Sequence, residues 1–143
     1  MTQQYLLDSG PLAAYLLGRR YSVSAIAPWV VQGEAVTSIL VYGEVAEYFK
    51  EMNNHDVLHQ QLRKLLQVAP PLALTYDILD RFADLRRALR HPYGAVLVGD
   101  MDTLIAATAL EYGIPVVTSN VKHFARIPGL DVIDFDQYEE SAA

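Results

Sequence analysis

The chain of 143 residues predicts an α/β fold: a central parallel β-sheet with helices on both faces. Three observations lead there. Short apolar runs of strand length alternate with longer segments of helical period, the pattern of strand–helix–strand units. One segment, Asp102 to Tyr112, is apolar almost all round, as befits a helix buried inside a domain. Polar or acidic residues sit where strand-like runs give way to helices, and in parallel sheets that edge gathers ligands.

The elements follow in order. Tyr5-Leu6-Leu7 is a short strand that ends at Asp8. Gly10-Pro11 turns the chain into a helix over Leu12 to Leu17, stopped at Gly18. Ser24 to Gln32 has helical character, and Pro28 would sit best in a first turn. Ala35-Val36-Thr37 is a second strand. Ile39 to Met52 is a clear helix with Val41, Val45, Tyr48, Phe49 and Met52 on one face. After Asn53-Asn54, an amphipathic helix covers Asp56 to Leu66. Pro70-Pro71 precedes a third strand, Leu72-Ala73-Leu74, and Thr75 caps a long helix reaching about Arg90. Gly113 stops the buried helix. Ile114 to Val117 is a buried strand with proline at a tolerated early position. A short helix near Asn120 to Phe124 and a strand at Asp131-Val132-Ile133 complete a single domain over residues 1–143.

Composition narrows the class. Apolar residues make up 52% and charged residues 20%, an ordinary globular balance. The absence of cysteine removes disulfides, thiolate metal sites and cysteine nucleophiles. There is no leader-like N-terminal pattern and no apolar run of spanning length, so a cytoplasmic protein without a membrane is expected. The formal net charge of −6 speaks against coating nucleic acid by bulk charge, though not against gripping one phosphodiester locally.

The acids carry the chemistry. Asp8 closes the first strand, Glu44 lies early in the helix after the second, and Asp102 precedes Ile105, Ala106 and Ala109 at helical spacing and so faces inward. Glu51 shares the helix of Glu44 but lies two turns further from the sheet edge. Carboxylates in such apolar settings are costly without a positive partner. No row of buried Lys or Arg offers one, so a divalent cation on hard oxygen ligands, Mg²⁺ or Mn²⁺, is the economical partner. Taken singly, Asp8 fits a turn or helix cap equally well, and Asp100 fits a cap better than a ligand. Thr118, Ser119 and Asn120 close the fourth strand at the same edge. Asn120 taken alone is more often a cap, and the histidines His55, His59, His91 and His123 read as surface residues without metal-ligand spacing.

Four segments in order resemble the PIN-domain ribonucleases of the VapC toxin type. They are Tyr5 to Leu12, Thr37 to Glu44, Asp102 to Leu110, and Gly113 to Phe124 followed by Ile127 to Leu130. The resemblance implies a PIN-like three-layer α/β/α sandwich and an Mg²⁺- or Mn²⁺-dependent endoribonuclease. Asp8, Glu44 and Asp102 would be its catalytic and metal-binding acids, with Asp100, Thr118, Ser119 and Asn120 as secondary candidates. It also implies a homodimer silenced by a small antitoxin whose tail enters the active groove. Many PIN domains carry a fourth Asp where this chain has Asn120. Arg19, Arg20, Lys122 and Arg126 are candidates for RNA backbone contacts, and equally for plain surface cations. Two other classes compete. A receiver-like phosphoacceptor would need an acidic pair after the first strand, which Asp8 lacks. A catalytically weak PIN-fold module binding RNA or a partner is kept alive by Asn120.

Overall fold

The computed structural model describes residues 3–93 and 98–137, including the side chains of all but 91–93; the reading of His91 lies outside them. The chain runs β1 (Tyr5–Leu7), α1 (Ser9–Leu16), α2 (Arg20–Val31), β2 (Ala35–Ser38), α3 (Ile39–Lys50), α4 (His55–Leu65), β3 (Pro71–Leu72), α5 (Tyr76–Tyr93), α6 (Asp100–Tyr112), β4 (Val116–Thr118), α7 (Val121–Phe124) and β5 (Val132–Asp134). The five strands form one sheet in the order β3-β2-β1-β4-β5. Every pairing is parallel, with Leu6 registered against Val36 on one side and Val116 on the other.

That order has a consequence for function. The chain steps outward from β1 to β2 and β3, then crosses back to lay β4 and β5 on the opposite side of β1. The strand order reverses between β1 and β4, and the crevice beyond the carboxyl ends of such a pair is where open α/β sheets bind ligands. Asp8 follows β1, and Thr118 ends β4.

Apolar burial holds the crevice in place. Leu6, Leu7, Val36, Val116 and Val117 are at most 2% exposed, the signature of central parallel strands covered on both faces. Val41, Val45 and Phe49 of α3 and Ile105, Ala106 and Ala109 of α6 pack into the same core. Three alanines within α6, at 106, 107 and 109, are fully buried; their small side chains let the helix backbone approach its neighbours closely. Its buried hydroxyls are satisfied within the helix, Thr103 donating to the Gly99 carbonyl at 2.9 Å and Thr108 to that of Leu104 at 2.8 Å. Gly113 ends α6 with a left-handed φ of 65°, a conformation glycine adopts without steric cost.

The structure shifts several boundaries. The second helix begins at Arg20, because burial of Ser22 and Ile26 recruits the preceding turn, and Pro28 lies inside it. β3 is Pro71–Leu72; Ala73 and Leu74 leave the sheet and are exposed. As an edge strand, β3 tolerates the proline. Tyr48, placed on the apolar face of α3, is 42% exposed. Thr75 caps α5 as expected, its hydroxyl accepting from the Ile78 N–H at 3.2 Å. No helix among the described residues is long and apolar enough to cross a membrane.

Gly43 stands inside α3, where a Cβ would meet nothing within 4 Å. Glycine in a helix interior costs about 0.5–1 kcal/mol relative to alanine. Gly43→Ala should therefore stabilise the protein by about that amount in chemical denaturation. A loss of stability would show that the helix needs glycine there.

Candidate active site

Four elements deliver polar groups to the switch-point crevice. Asp8 is carried by β1 into the first position before α1, and its side chain is only 6% exposed. It makes no cap hydrogen bond into the helix. Its Oδ2 instead accepts from the Thr118 hydroxyl at 2.7 Å, across the gap between β1 and β4. The same Thr118 oxygen accepts from the Asn120 backbone N–H at 2.9 Å, so one buried hydroxyl ties Asp8 to the turn after β4. Burial pushes the Asp8 carboxyl above its ordinary range, and the Asp102 charge adds to the push. The bonds from Thr118 and the Ser9 backbone oppose it.

Glu44 is brought to the crevice by α3. Ser38 caps that helix through the Leu40 N–H at 3.1 Å, and Val41 and Val45 anchor it in the core. The Glu44 side chain is half-buried, and its Oε1 is buried without a hydrogen-bond partner. Its pKa is pushed up to about 7, first by burial and then by the charges of Asp8, Asp102 and Glu47. A buried carboxylate oxygen is ordinarily paired. Here burial, two acids from distant parts of the chain, Asp8 and Asp102, and Glu47 on the same helix raise its charging cost instead.

Asp102 projects from the first turn of α6, where the helix dipole favours an anion. Its Oδ2 lies 2.9 Å from Nδ1 of His123 and 3.5 Å from the Asn120 amide nitrogen. Reading His123 as an uninvolved surface residue was wrong. It is half-buried, and the four-residue α7 turns its ring onto Asp102. Asn120 does precede α7, but its side chain makes no cap bond; the amide meets His123 at 2.8 Å. The cap of α6 is Gly99, not Asp100, which is the first helical residue and pairs with Arg86 at 3.2 Å on the surface.

A groove of about 480 Å³ opens beside these acids, lined among others by Ser9, Gly10, Arg19, Glu44, Glu47 and Glu51. Ser119 reaches the same edge, its Oγ 3.7 Å from where a Cβ on Gly10 would stand. Of the proposed backbone contacts, Arg19 lines the groove, Arg20 and Lys122 are exposed, and Arg126 is half-buried just beyond α7. Glu47 had gone unremarked in the sequence, although its position three residues after Glu44 puts it on the same helix face.

Among the described residues no group of three acids or histidines is arranged to hold one ion as it stands. The donor set nonetheless fits a hard cation. It is all oxygen, it includes the orphaned Glu44 Oε1, and burial, with repulsion from neighbouring acids added, raises two of its three members.

A family model described as PIN domain matches residues 5–130. Ribonuclease VapC of Rickettsia bellii is 50% identical over 38 residues, 27% of this chain and 28% of that protein. Ribonuclease VapC1 of Rickettsia felis is 29% identical over 106 residues, covering 73% of this chain and 79% of that one. The solved structure of VapBC-1 from nontypeable Haemophilus influenzae aligns over 94% of this chain and 99% of its own. Its TM-score is 0.76 and its identity 25%.

The raised carboxyls predict an unusual pH response. A carboxyl whose pKa is higher in the folded chain binds a proton more readily there than when unfolded. Folding is then favoured below the ordinary value of 4.5 and loses that advantage as pH rises through about 7. Asp8 acts in the same direction. With a chelator present, the unfolding midpoint should rise as pH falls from about 8 towards 6. Glu44→Gln should be more stable than the parent at the upper end and flatten the slope. Parallel parent and variant curves would contradict the assignment.

Proposed function

The chain belongs to the PIN domain family, and from that premise we propose that it is a VapC-type, metal-dependent endoribonuclease neutralised by a cognate antitoxin. The observation that carries the reading is the buried, unpaired Glu44 Oε1 crowded by the charges of Asp8 and Asp102 at the strand-order switch point. A protein with no use for that arrangement would have neutral or paired groups there. Asp8, Glu44 and Asp102 are the residues to hold Mg²⁺ or Mn²⁺. When bound, such an ion lowers the pKa of water and offsets charge on a reacting phosphate.

The chain's own groups supply the rest. Thr118 fixes Asp8, since its hydroxyl both donates to the carboxylate and accepts from the turn. Ser119 and Asn120 stand exposed at the mouth of the crevice, suited to orient water or a phosphate oxygen. Asn120 brings a neutral amide where many relatives have a carboxylate, so the site holds three acids rather than four. Arg19 faces the groove as a contact for the RNA backbone, and Arg20, Lys122 and Arg126 are further candidates for such contacts. Hydrolysis joins a water oxygen to phosphorus and breaks the P–O3′ bond. The products are a 5′-phosphate and a 3′-hydroxyl that has taken up a proton. The single domain acts in the cytoplasm as a homodimer, and the antitoxin tail occupies the acidic groove.

The three-acid site also favours a second reading, a PIN-fold module that binds RNA without cleaving it. One assay separates the two. Purified protein with Mn²⁺ should cut single-stranded RNA to 5′-phosphate ends, and Asp8→Asn or Asp102→Asn should slow cleavage at least about 100-fold with circular dichroism unchanged. A parent that binds RNA but leaves it whole supports the second reading; variants as active as the parent would overturn the site.

A further inference from the structure

The most informative group outside the three acids is His123. The chain contains a plain surface example of a histidine–aspartate pair for comparison. His55 Nε2 and Asp56 lie 3.3 Å apart, with side chains 51% and 90% exposed. The His123 ring, at 42%, is nearly as exposed as that of His55, but its aspartate and its anchoring are not alike. Its Nδ1 is 2.9 Å from Asp102 Oδ2, and the aspartate is only 18% exposed. The residue next to it, Phe124, is fully buried, and Ile127 is 3% exposed, so the short helix that carries the ring is anchored in the core.

We infer that His123 is a positioning residue for Asp102: its Nδ1–H grips Oδ2 and leaves Oδ1 as the oxygen that meets the cation. This role rests on the proposed metal-dependent reading of the site. The proton's location follows from elementary chemistry. A carboxylate only accepts, so an unprotonated Nδ1 at 2.9 Å would oppose two lone pairs. Nδ1 therefore carries a proton, and in the neutral form of the ring Nε2 is the bare nitrogen.

The same proton decides how Asn120 faces. Its amide terminus lies 2.8 Å from Nδ1, where an NH₂ group would meet an N–H donor head on. Turning the amide oxygen towards the ring relieves this, exchanges the 3.5 Å contact of the amide nitrogen with Asp102 for one of the oxygen, and shares the Nδ1–H between Asn120 and Asp102. A continuous set of hydrogen bonds then links two of the acids. Asp8 accepts from Thr118, Thr118 from the Asn120 backbone, and both the Asn120 side chain and Asp102 from His123. The β4–α7 turn thus braces the ends of β1 and α6 against each other. Hydrogen bonds to ligating carboxylates set their orientation and commonly change metal affinity about 10–100-fold.

The test uses the whole chain in three forms: parent, His123→Ala and His123→Asn. The amide nitrogen of asparagine reaches about as far as Nδ1, so the second variant keeps the donor. Metal-free parent, at a pH where the ring nitrogens' own NMR shifts report the neutral form, should show the Nδ1–H tautomer in long-range ¹H–¹⁵N NMR. In calorimetry His123→Ala should bind Mn²⁺ about 10-fold or more weakly, and His123→Asn should recover most of the loss. The metal-free unfolding midpoint of both should stay near the parent's. An Nε2–H tautomer overturns the inference, as does parent-like affinity in His123→Ala or an equal loss in both variants. Should His123→Ala fail to fold, the tautomer and His123→Asn still decide. A parent that binds no Mn²⁺ overturns the metal reading itself and this role with it, a result distinct from the others.

Discussion

A carboxylate at the end of the central strand of a parallel sheet has nowhere to go but the crevice. β1 lies between β2 and β4, covered on both faces, and Leu6 and Leu7 are fully buried. The next residue, Asp8, cannot withdraw to solvent without pulling an anchored strand out of register. Its burial opposes ionisation, and the Thr118 hydroxyl offsets only part of that. The rest of the site answers to this constraint. Glu44 and Asp102 arrive on helices whose own apolar faces are locked into the same core, so neither can relax away from Asp8. Packing energy distributed over the fold therefore holds three like charges together, and the cost of that surfaces in the raised carboxyls.

Much of this is written in local pattern. The strand ending at Asp8, the helix bearing Glu44 and the buried helix opening near Asp102 each follow from composition and period, because burial repeats along an element. The parallel architecture follows from their alternation. What escapes local pattern is tertiary. The bond from Thr118 to Asp8 joins residues 110 apart in sequence. The ring of His123 sits on α7, a four-residue helix too short to show a period, so its facing is set by the burial of Phe124 beside it. Asp100 looked like a cap because aspartate caps well. Gly99 takes that place, its carbonyl accepting from the Thr103 N–H at 3.0 Å, and Asp100 turns outward to Arg86. Such one-residue shifts at helix starts depend on how the preceding chain arrives.

The two sides of the crevice play different parts. On the β4 side, Thr118, Asn120 and His123 form a hydrogen-bonded turn that holds acids in place. On the α3 side, Glu44, Glu47 and Glu51 line a groove in which Arg19 is the cation. An anionic RNA backbone meets that groove favourably only once charge at its head is neutralised, whereas a basic peptide segment would find it attractive as it stands. On the function proposed above, a metal and a basic antitoxin segment would be competing ways of relieving the same charge.

The central claim is that crowded carboxylates at the switch point await a cation. Side-chain ¹³C NMR of Glu44, titrated with and without Mg²⁺, reads that directly. Without the ion the Glu44 carboxyl should titrate near 7. With it, the midpoint should fall well below that value, because the cation favours the charged form. A carboxyl titrating at its ordinary value without metal and unmoved by Mg²⁺ would contradict the account.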